Sequence, residues 1–402
     1  MEKQVSEKPI YFANLDILRF IAAFMVVIAH AYEGWLGWFG GKAPGILLDS
    51  TGEKLSKFGE LAQQGILNGG FGVDVFFLIS GFLITFLLLK EKEKTGKINY
   101  PKFFMRRAIR IWPAYFLLVI LTPVFLKYST PYGQPIIQPD YTPTILFFNN
   151  FHAMLLPENH MWQYPFMHLW SICVEEHFYL FWPIFIWIFP KKHLLKLFWG
   201  TIALSISSRI LFFAFDEPNS FYYLHTLSRV DVMAIGALFA YYYSTKSFSF
   251  RTPIWVGILI ALFFVFIYLN IDVYSKYDYF NGNKTLELIL IIFKKHFFIL
   301  PVGLGMAHFI FNKNQQLKLP FSSLWNYLGR ISYSVYLFSN VLIPIIVIQF
   351  MWRFQSSNFY LFMIMNILIS ILAAILVYHF VEKPVMKLKK YFEIIKTKRT
   401  DE

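Results

Sequence analysis

A succession of apolar runs, many of them about 17–20 residues long, limits the fold of this chain more than any other feature. Runs of this length cross a bilayer as helices, because a spanning backbone must satisfy its own hydrogen bonds. The composition agrees, since 57% of the 402 residues are hydrophobic and only 15% are charged. A soluble protein of this size would expose too much apolar surface to water. The sequence therefore predicts an all-α integral membrane protein, a polytopic bundle of about ten transmembrane helices.

The predicted spans are separated by short polar segments and by two long ones. They are Ile17–Trp35, Gly72–Leu89, Ala108–Leu126, His168–Ile188, Leu194–Phe213, Val230–Tyr243, Pro253–Leu269, Leu286–Phe311, Ile331–Met351 and Tyr360–Phe380. Lys294 and Lys295 interrupt the eighth, so Leu286–Phe293 is alternatively a re-entrant or interfacial piece. The long connections, 36–71 and 127–167, either form part of a substrate-binding site or only cap the bundle.

Basic residues indicate the orientation of the bundle. With the N-terminus inside, the inner segments hold about 25 Lys and Arg and the outer ones about 8 to 10, which predicts both termini in the cytoplasm. We divide the chain into a cytoplasmic segment (1–14), a transmembrane domain (15–384) and a basic cytoplasmic tail (385–402). The net charge of +13 then suits anionic lipid head groups better than nucleic acid. The first run lacks a cleavage site and is expected to remain as a span, and the single cysteine, Cys173, excludes an intrachain disulfide.

Ionisable residues inside apolar runs mark a candidate site, because such groups are costly in a membrane unless they face the bundle interior or a wet cavity. Asp16, Arg19 and His30 share one face of the first span. Arg19 and His30 differ by about 20° in azimuth and about 16 Å in height. Since histidine accepts protons near neutral pH, His30 is the candidate catalytic base. The alternative is a buried histidine satisfied by one neighbour.

The fourth span carries a second polar stripe, with Glu176 beside it. Spacings of three, four and four residues place its members on one face: His168, Ser171, Glu175 and Tyr179. Glu175 or Asp74 is the candidate carboxylate for the second nitrogen of His30. The alternatives for Glu175 and Glu176 are contact with a bound hydroxyl or a structural ion pair with an arginine on another helix. We assign five polar residues of the two stripes to an acceptor-binding or structural network: Asp16, His168, Ser171, Glu176 and Tyr179.

Further polar residues lie at the starts of later spans. Arg107 and Arg110 share a helical face and match the geometry of phosphate, so they either bind a phosphorylated donor or anchor the helix to lipid. Arg229 and Asp231 are predicted to form a local charge pair or an acceptor contact. Hydroxyl residues of span nine are assigned to interhelical hydrogen bonds or to an acceptor network: Ser332, Tyr333 and Tyr336.

The sequence resembles the acyltransferase family 3 membrane proteins in six places that follow the family's order over residues 15–384. These are Leu15–Arg19 followed by His30, Gly72–Phe82, Arg107 with Arg110, Trp170–Tyr179, Ile331–Leu337 and Glu382–Pro384. Two positions depart from the family pattern. Phe20 replaces a frequent glycine, and Ser339 replaces a frequent histidine.

The resemblance implies a ten-helix fold in a bacterial inner (plasma) membrane. It implies transfer of an acyl group, usually acetyl, from cytoplasmic acyl-coenzyme A to a hydroxyl of an exported or lipid-linked carbohydrate of the cell envelope. His30 would be catalytic, Arg19, Arg107 and Arg110 would bind the donor, and no metal is expected. Some relatives carry an extracytoplasmic hydrolase-like domain. None follows the last span here, so we expect transfer to finish in the membrane domain or through a separate partner.

Two other classes of function remain open. A transporter or flippase of a sugar-containing substrate is the first, since buried charges also mark substrate and proton pathways. Against it, the sequence lacks the paired half-helices and repeats of many transporters. The second is a structural scaffold, for which replacing His30 would change nothing. Within the enzyme hypothesis, direct transfer and an acyl-histidine intermediate are both compatible with the sequence.

Overall fold

The computed structural model describes residues 12–38, 44–48, 54–129, 139–156, 165–245, 254–270, 284–311, 320–340, 342–354 and 356–395. Within these ranges regular structure is helical, apart from an isolated backbone bridge between Leu48 and Leu55. The prediction of an all-α fold is therefore confirmed for the described residues. Parts of both long connections, the first residues of the predicted cytoplasmic segment and the end of the basic tail lie outside them.

Helices follow one another along the chain with short connections. They are α1 (Ala13–Trp38), α2 (Lys57–Leu67), α3 (Gly72–Thr95), α4 (Tyr100–Ser129), α5 (Tyr141–Ile145), α6 (Asn149–Met154), α7 (Trp170–Ile188), α8 (Leu194–Ala214), α9 (Asn219–Leu224), α10 (Thr226–Thr245), α11 (Ile254–Asn270), α12 (Lys284–Phe311), α13 (Ser322–Phe338), α14 (Leu342–Arg353), α15 (Phe359–Val377) and α16 (Lys383–Met386). A π-helical turn, Tyr378–Glu382, joins the last two.

Six helical stretches are long and apolar enough to cross a membrane, so the chain is a multi-pass membrane protein. They are Asn14–Leu36, Lys57–Thr95, Tyr100–Lys127, Lys191–Ala214, Glu287–His308 and Phe359–Tyr391. The other predicted spans also coincide with helices, but α11 and α13 are only 17 residues long. In α7 the hydropathy is lowered by Glu175, Glu176 and His177. The count of ten spans therefore stays a prediction.

Two predicted boundaries and one alternative are wrong. The connection 36–71 contains α2, which continues through a 3₁₀ turn directly into α3. The eighth span, predicted as Leu286–Phe311, is confirmed as the continuous helix α12, and the alternative of a separate piece ending at Phe293 is wrong. The Lys295 ammonium is accommodated by a buried partner, Asp231, at 2.6 Å. The ninth span is two helices, α13 and α14, separated by a turn at 339–340, where the Ser339 hydroxyl donates to the Tyr336 carbonyl at 2.9 Å.

Helix α3 lies at the centre of the described bundle, packed against α1, α7, α10 and α12. Its buried side chains include Phe77, Leu78 and Phe82, each at most 1% exposed. Helix α1, which carries the first polar stripe, packs between α3 and α13. The polar face of α1 is therefore turned towards other helices, as the cost of polar groups in lipid requires.

Two glycines let the central helices approach each other closely. A Cβ atom at Gly81 of α3 would overlap the backbone of Met233 in α10, and one at Gly236 would overlap the backbone of Leu78. Small residues at a crossing allow such contact between membrane helices. The contacting atoms of Met233 and Leu78 belong to the helix backbone, so they cannot move aside as a flexible side chain could.

Replacing Gly81 with alanine is expected to destabilise the fold by about 1–3 kcal/mol, because the two backbones must separate. Thermal unfolding in detergent measures the loss. Gly200→Ala on α8 is the matched control, since no atom lies within 4 Å of its Cβ position. It should be neutral or slightly stabilising. Equal melting temperatures for the two variants would contradict close packing at Gly81.

Candidate active site

Two polar regions lie at opposite ends of the first span. Arg19 is close enough to Tyr179 of α7 to interact electrostatically, and His30 is similarly close to His168, which directly precedes α7. Helix α1 and the segment His168–Tyr179 therefore run antiparallel, and their polar stripes lie side by side. Arg19 and His30 are eleven residues apart on α1, a rise of about 16 Å. We call these regions the arginine end (Arg19, Arg107 and Arg110) and the histidine end (His30, His168 and Tyr336).

At the arginine end, Asp16 fixes the position of Arg19. Its carboxylate oxygen lies 3.1 Å from Arg19 Nη1 within the same helix. Helix α13 reaches this point because Gly329 has no side chain where it meets the Asp16 backbone. Asp16, for which the sequence left an acceptor role open, is therefore part of the support for Arg19.

Arg107 projects from α4 between aromatic rings. Its guanidinium carbon lies 5.6 Å from the ring centre of Phe103 and 5.9 Å from that of Tyr179. Its Nε is buried without a hydrogen-bond partner in the part of the chain that the structure describes. Arg110 lies near enough to both Arg107 and Arg19 for electrostatic repulsion. Three converging guanidinium groups suit an anion with several oxygen atoms, such as a phosphate.

The neighbouring Arg106 has a structural role instead. Its Nη2 pairs with Glu91 of α3 at 3.0 Å, and its Nη1 donates to the carbonyl of Phe392 at 2.8 Å. This arginine therefore connects α4 to α3 and to the C-terminal segment. Arg106, Arg107 and Arg110 are close together in the sequence. In the structure only Arg107 and Arg110 belong to the arginine end, because Arg106 binds Glu91 and the Phe392 carbonyl.

The predicted carboxylate partners of His30 are engaged elsewhere. Glu175 accepts hydrogen bonds from Ser80 Oγ at 2.6 Å and from Tyr179 at 3.1 Å. Asp74 pairs with Arg229 at 2.8 Å. The predicted contact with His30 is therefore corrected for both residues, because each has a closer donor on a neighbouring helix.

Glu176 also lacks the arginine partner that was the alternative for it. Its Oε2 accepts a long hydrogen bond, 3.5 Å, from the indole nitrogen of Trp112. Its Oε1 is buried without a partner among the described residues. Glu176 thus adds a second carboxyl group beside Glu175 and close to Arg107, which interacts with it electrostatically.

At the histidine end, Tyr336 of α13 lies beside both imidazoles. Its ring centre is 6.4 Å from that of His30 and 6.2 Å from that of His168. Its hydroxyl donates to the His168 carbonyl at 2.8 Å and shares a hydrogen bond with Ser171 at 2.6 Å. His168 Nε2 donates to the Leu337 carbonyl at 2.9 Å. These bonds fix the position of His168.

His30 Nδ1 is buried without a hydrogen-bond partner in the described chain, as is Nδ1 of His168, but only His168 has its other ring nitrogen held by a carbonyl. An imidazole with a free nitrogen in a buried polar region can accept a proton from a bound hydroxyl. The alternative, in which His30 is a buried histidine hydrogen-bonded to one neighbour, is therefore not supported at Nδ1.

The other hydroxyl groups of α13 make structural hydrogen bonds. Ser332 donates to the Gly329 carbonyl of its own helix at 2.7 Å. Tyr333 donates to the Ile111 carbonyl of α4 at 3.0 Å. Ser332 and Tyr333 are therefore better explained by structural hydrogen bonds within and between helices than by an acceptor network.

A second group of buried charges surrounds Asp231 of α10. Its carboxylate lies 2.8 Å from Arg209, 2.6 Å from Lys295 and 3.1 Å from His296. The predicted local pair between Arg229 and Asp231 is wrong, because residues two apart on a helix point about 200° apart. Asp231 pairs instead with cations of α8 and α12.

Arg229 points to the other side of α10, towards Asp74. Its guanidinium lies 5.0–5.8 Å from the ring centres of Phe77, Trp170 and Tyr223. This pair connects α10 to α3 within an aromatic surrounding. It is a buried ion pair between helices.

Several residues of the site escaped the sequence interpretation. Ser80 binds Glu175, and Glu382 accepts a hydrogen bond from Ser334 and interacts electrostatically with Arg110. Glu382 is 3% exposed and ends the π-helical turn after α15. Such turns are frequent at functional sites. The signal for it was a carboxylate directly after an apolar run, within the string Glu382–Pro384.

Comparisons with known proteins show which family the chain belongs to. The family described as "Acyltransferase domain", of acyltransferase family 3, matches residues 12–379. A Staphylococcus aureus (strain COL) protein named "Putative O-acetyltransferase SACOL0978" is 27% identical over 403 residues, covering 94% of this chain and 58% of its own length. The "O-acetyltransferase OatA" of S. aureus (strain NCTC 8325 / PS 47) is 26% identical over 407 residues, covering 96% and 59%.

The chain therefore spans less than two thirds of the length of these relatives. No solved structure matches it. Because the family match covers nearly the whole chain, the two polar ends belong to the matched region. This multi-pass membrane protein is a member of acyltransferase family 3.

Proposed function

We propose that this chain is a membrane O-acyltransferase that moves an acyl group, most simply acetyl, from acyl-coenzyme A to a hydroxyl of a carbohydrate. The observation that carries this proposal is the arrangement of the arginine end and the histidine end, about 16 Å apart along α1. Acyl-coenzyme A carries phosphates at one end and its thioester at the other. The two ends of the site offer matching chemistry.

The donor is proposed to enter from the cytoplasm at the arginine end. This orientation rests on the excess of basic residues in the predicted inner segments and on ten spans with both termini inside. Arg19, Arg107 and Arg110 would receive the phosphates, and the acyl arm would extend between α1 and α7 towards His30. The acceptor would approach from the opposite face of a bacterial plasma membrane.

In the proposed reaction, His30 removes the proton of the acceptor hydroxyl as its oxygen attacks the thioester carbonyl. The carbon–sulfur bond then breaks, and the proton passes from the imidazolium to the departing thiolate. The products are an ester and free coenzyme A. The same geometry serves a route through acyl-histidine, which would leave labelled protein when the acceptor is omitted.

Acyl transfer from radiolabelled acetyl-coenzyme A tests the proposal. The purified protein in detergent is offered carbohydrates, lipid-linked sugars and glycolipids, and base-labile label is measured in each. A labelled, base-labile product supports the enzyme. Movement of a lipid-linked sugar across proteoliposomes without a new ester would instead support a transporter, as would failure to bind coenzyme A.

Replacing Arg107 and Arg110 together with glutamine is expected to raise the KM for the donor at least tenfold. Each charge-assisted hydrogen bond to a phosphate is worth about 1.5–3 kcal/mol, and about 1.4 kcal/mol is a factor of ten. Steady-state transfer with varied donor measures the change. Lys102→Gln, at an exposed position of α4, is the matched control and should keep the wild-type KM. Equal effects of the two changes would contradict a specific phosphate site.

A further inference from the structure

The unpartnered imidazole of His30 requires a counter-charge once it takes a proton. A buried cation without a counter-ion is unfavourable in the low dielectric of a membrane protein. Among the described residues, the titratable side chains that face His30 from neighbouring segments are His168 and Tyr336, and neither is an anion at neutral pH. Glu175 and Asp74 are hydrogen-bonded or ion-paired elsewhere. The carboxylate for His30 must therefore come from another position.

Glu33 occupies such a position on α1 itself. It follows His30 by three residues, so the two side chains are neighbours on the helix surface, with Cβ atoms about 5–6 Å apart. Side chains of a helix lean towards its N-terminus, which directs the longer Glu33 side chain back over His30. The arrangement needs only a change of side-chain rotamer to bring the carboxylate to the imidazole.

The surroundings of Glu33 leave its carboxylate available. The residue is half-buried in an otherwise apolar stretch, between Tyr32 and Trp35, which pack against α15. It has neither an ion pair nor a hydrogen bond to any residue that the structure describes. A carboxylate held in a spanning helix without a structural partner is costly, which indicates a functional role.

We propose that Glu33 is the positioning carboxylate of His30. It accepts a hydrogen bond from the imidazole nitrogen that does not face the acceptor and balances the charge of the imidazolium. His30 takes the hydroxyl proton and later returns it to the thiolate of coenzyme A, while the Glu33 carboxylate keeps the imidazole in position. This inference rests on the proposed acyl transfer and names a residue that assists it.

Glu33→Gln tests the proposal because glutamine keeps the size of the side chain and removes its charge. The kcat of acyl transfer should fall about 10–100-fold, with the donor KM unchanged within about twofold. The acid limb of the pH profile of kcat/KM should move to lower pH, because loss of the negative charge makes the protonated imidazole less favourable. Glu33→Asp should recover part of kcat and of the profile. Glu60→Gln, at an exposed position of α2, is the matched control.

Three outcomes would overturn the assignment. A folded Glu33→Gln protein with wild-type kcat and pH profile shows that the carboxylate does not assist His30. A higher acceptor KM with an unchanged profile assigns Glu33 to acceptor binding instead. A loss of activity that Glu33→Asp does not relieve, together with a lower melting temperature, assigns it to stability. Absence of transfer by the wild-type protein itself would count against the proposed function.

Discussion

His30→Ala is expected to lower the kcat of acyl transfer by about 10²–10⁴-fold, the range of a lost general base. His168 and Tyr336 are expected to substitute poorly for the imidazole, because the His168 ring is held in place by its hydrogen bond to the Leu337 carbonyl, and Tyr336 donates its proton to the His168 carbonyl. Transfer from labelled acetyl-coenzyme A at saturating donor measures the effect. Donor KM should change little, since the proposed phosphate site lies about 16 Å away.

His193→Ala, in the turn before α8, is the matched control and should keep wild-type activity. The melting temperature of His30→Ala shows whether the variant is folded. A folded His30→Ala protein that transfers as fast as wild type would contradict the catalytic assignment. It would also leave the scaffold and transporter interpretations ahead of the enzyme.

Asp231→Asn is expected to cause the largest loss of stability, about 3–5 kcal/mol. Asparagine has the same shape but no charge, so Arg209 and Lys295 would remain buried without a counter-ion. Both cations are at least nine-tenths buried, and Asp231 itself is fully buried. Three helices, α8, α10 and α12, meet at this carboxylate. Thermal unfolding in detergent measures the change.

A second substitution makes this prediction specific. Asp231→Asn combined with Lys295→Met should recover part of the lost stability, because one unpaired cation is removed and replaced by an apolar chain. Asp216→Asn, in the exposed turn after α8, should leave the melting temperature unchanged, since asparagine tolerates the positive φ found there. If Asp231→Asn melts at the wild-type temperature, the buried charges do not stabilise the bundle.

Much of the fold could be predicted from the sequence, because a membrane span must be a continuous apolar helix. The positions of α1, α3 and α8 follow directly from their apolar runs. The polar stripe of α1 could also be predicted, since helical geometry alone places Asp16, Arg19 and His30 on one face. The opposing stripe of α7 was likewise visible from its spacing.

Contacts between helices could not be predicted in the same way. Hydropathy shows that a residue faces the interior but not which helix lies opposite. Asp74 was therefore assigned to His30 when its partner is Arg229, and Lys295 was interpreted as an interruption when it pairs with Asp231. Glu33 was missed because a carboxylate towards the end of a span resembles an ordinary boundary residue.

Equilibrium binding of radiolabelled coenzyme A to three purified proteins tests the central claim most directly. Wild type, His30→Ala and Arg107→Gln/Arg110→Gln are compared at the same concentration in detergent. Our account predicts that His30→Ala binds coenzyme A as wild type does, although it cannot transfer, and that the arginine variant binds at least tenfold more weakly. Weakened binding by His30→Ala with intact binding by the arginine variant would contradict separate donor and catalytic ends.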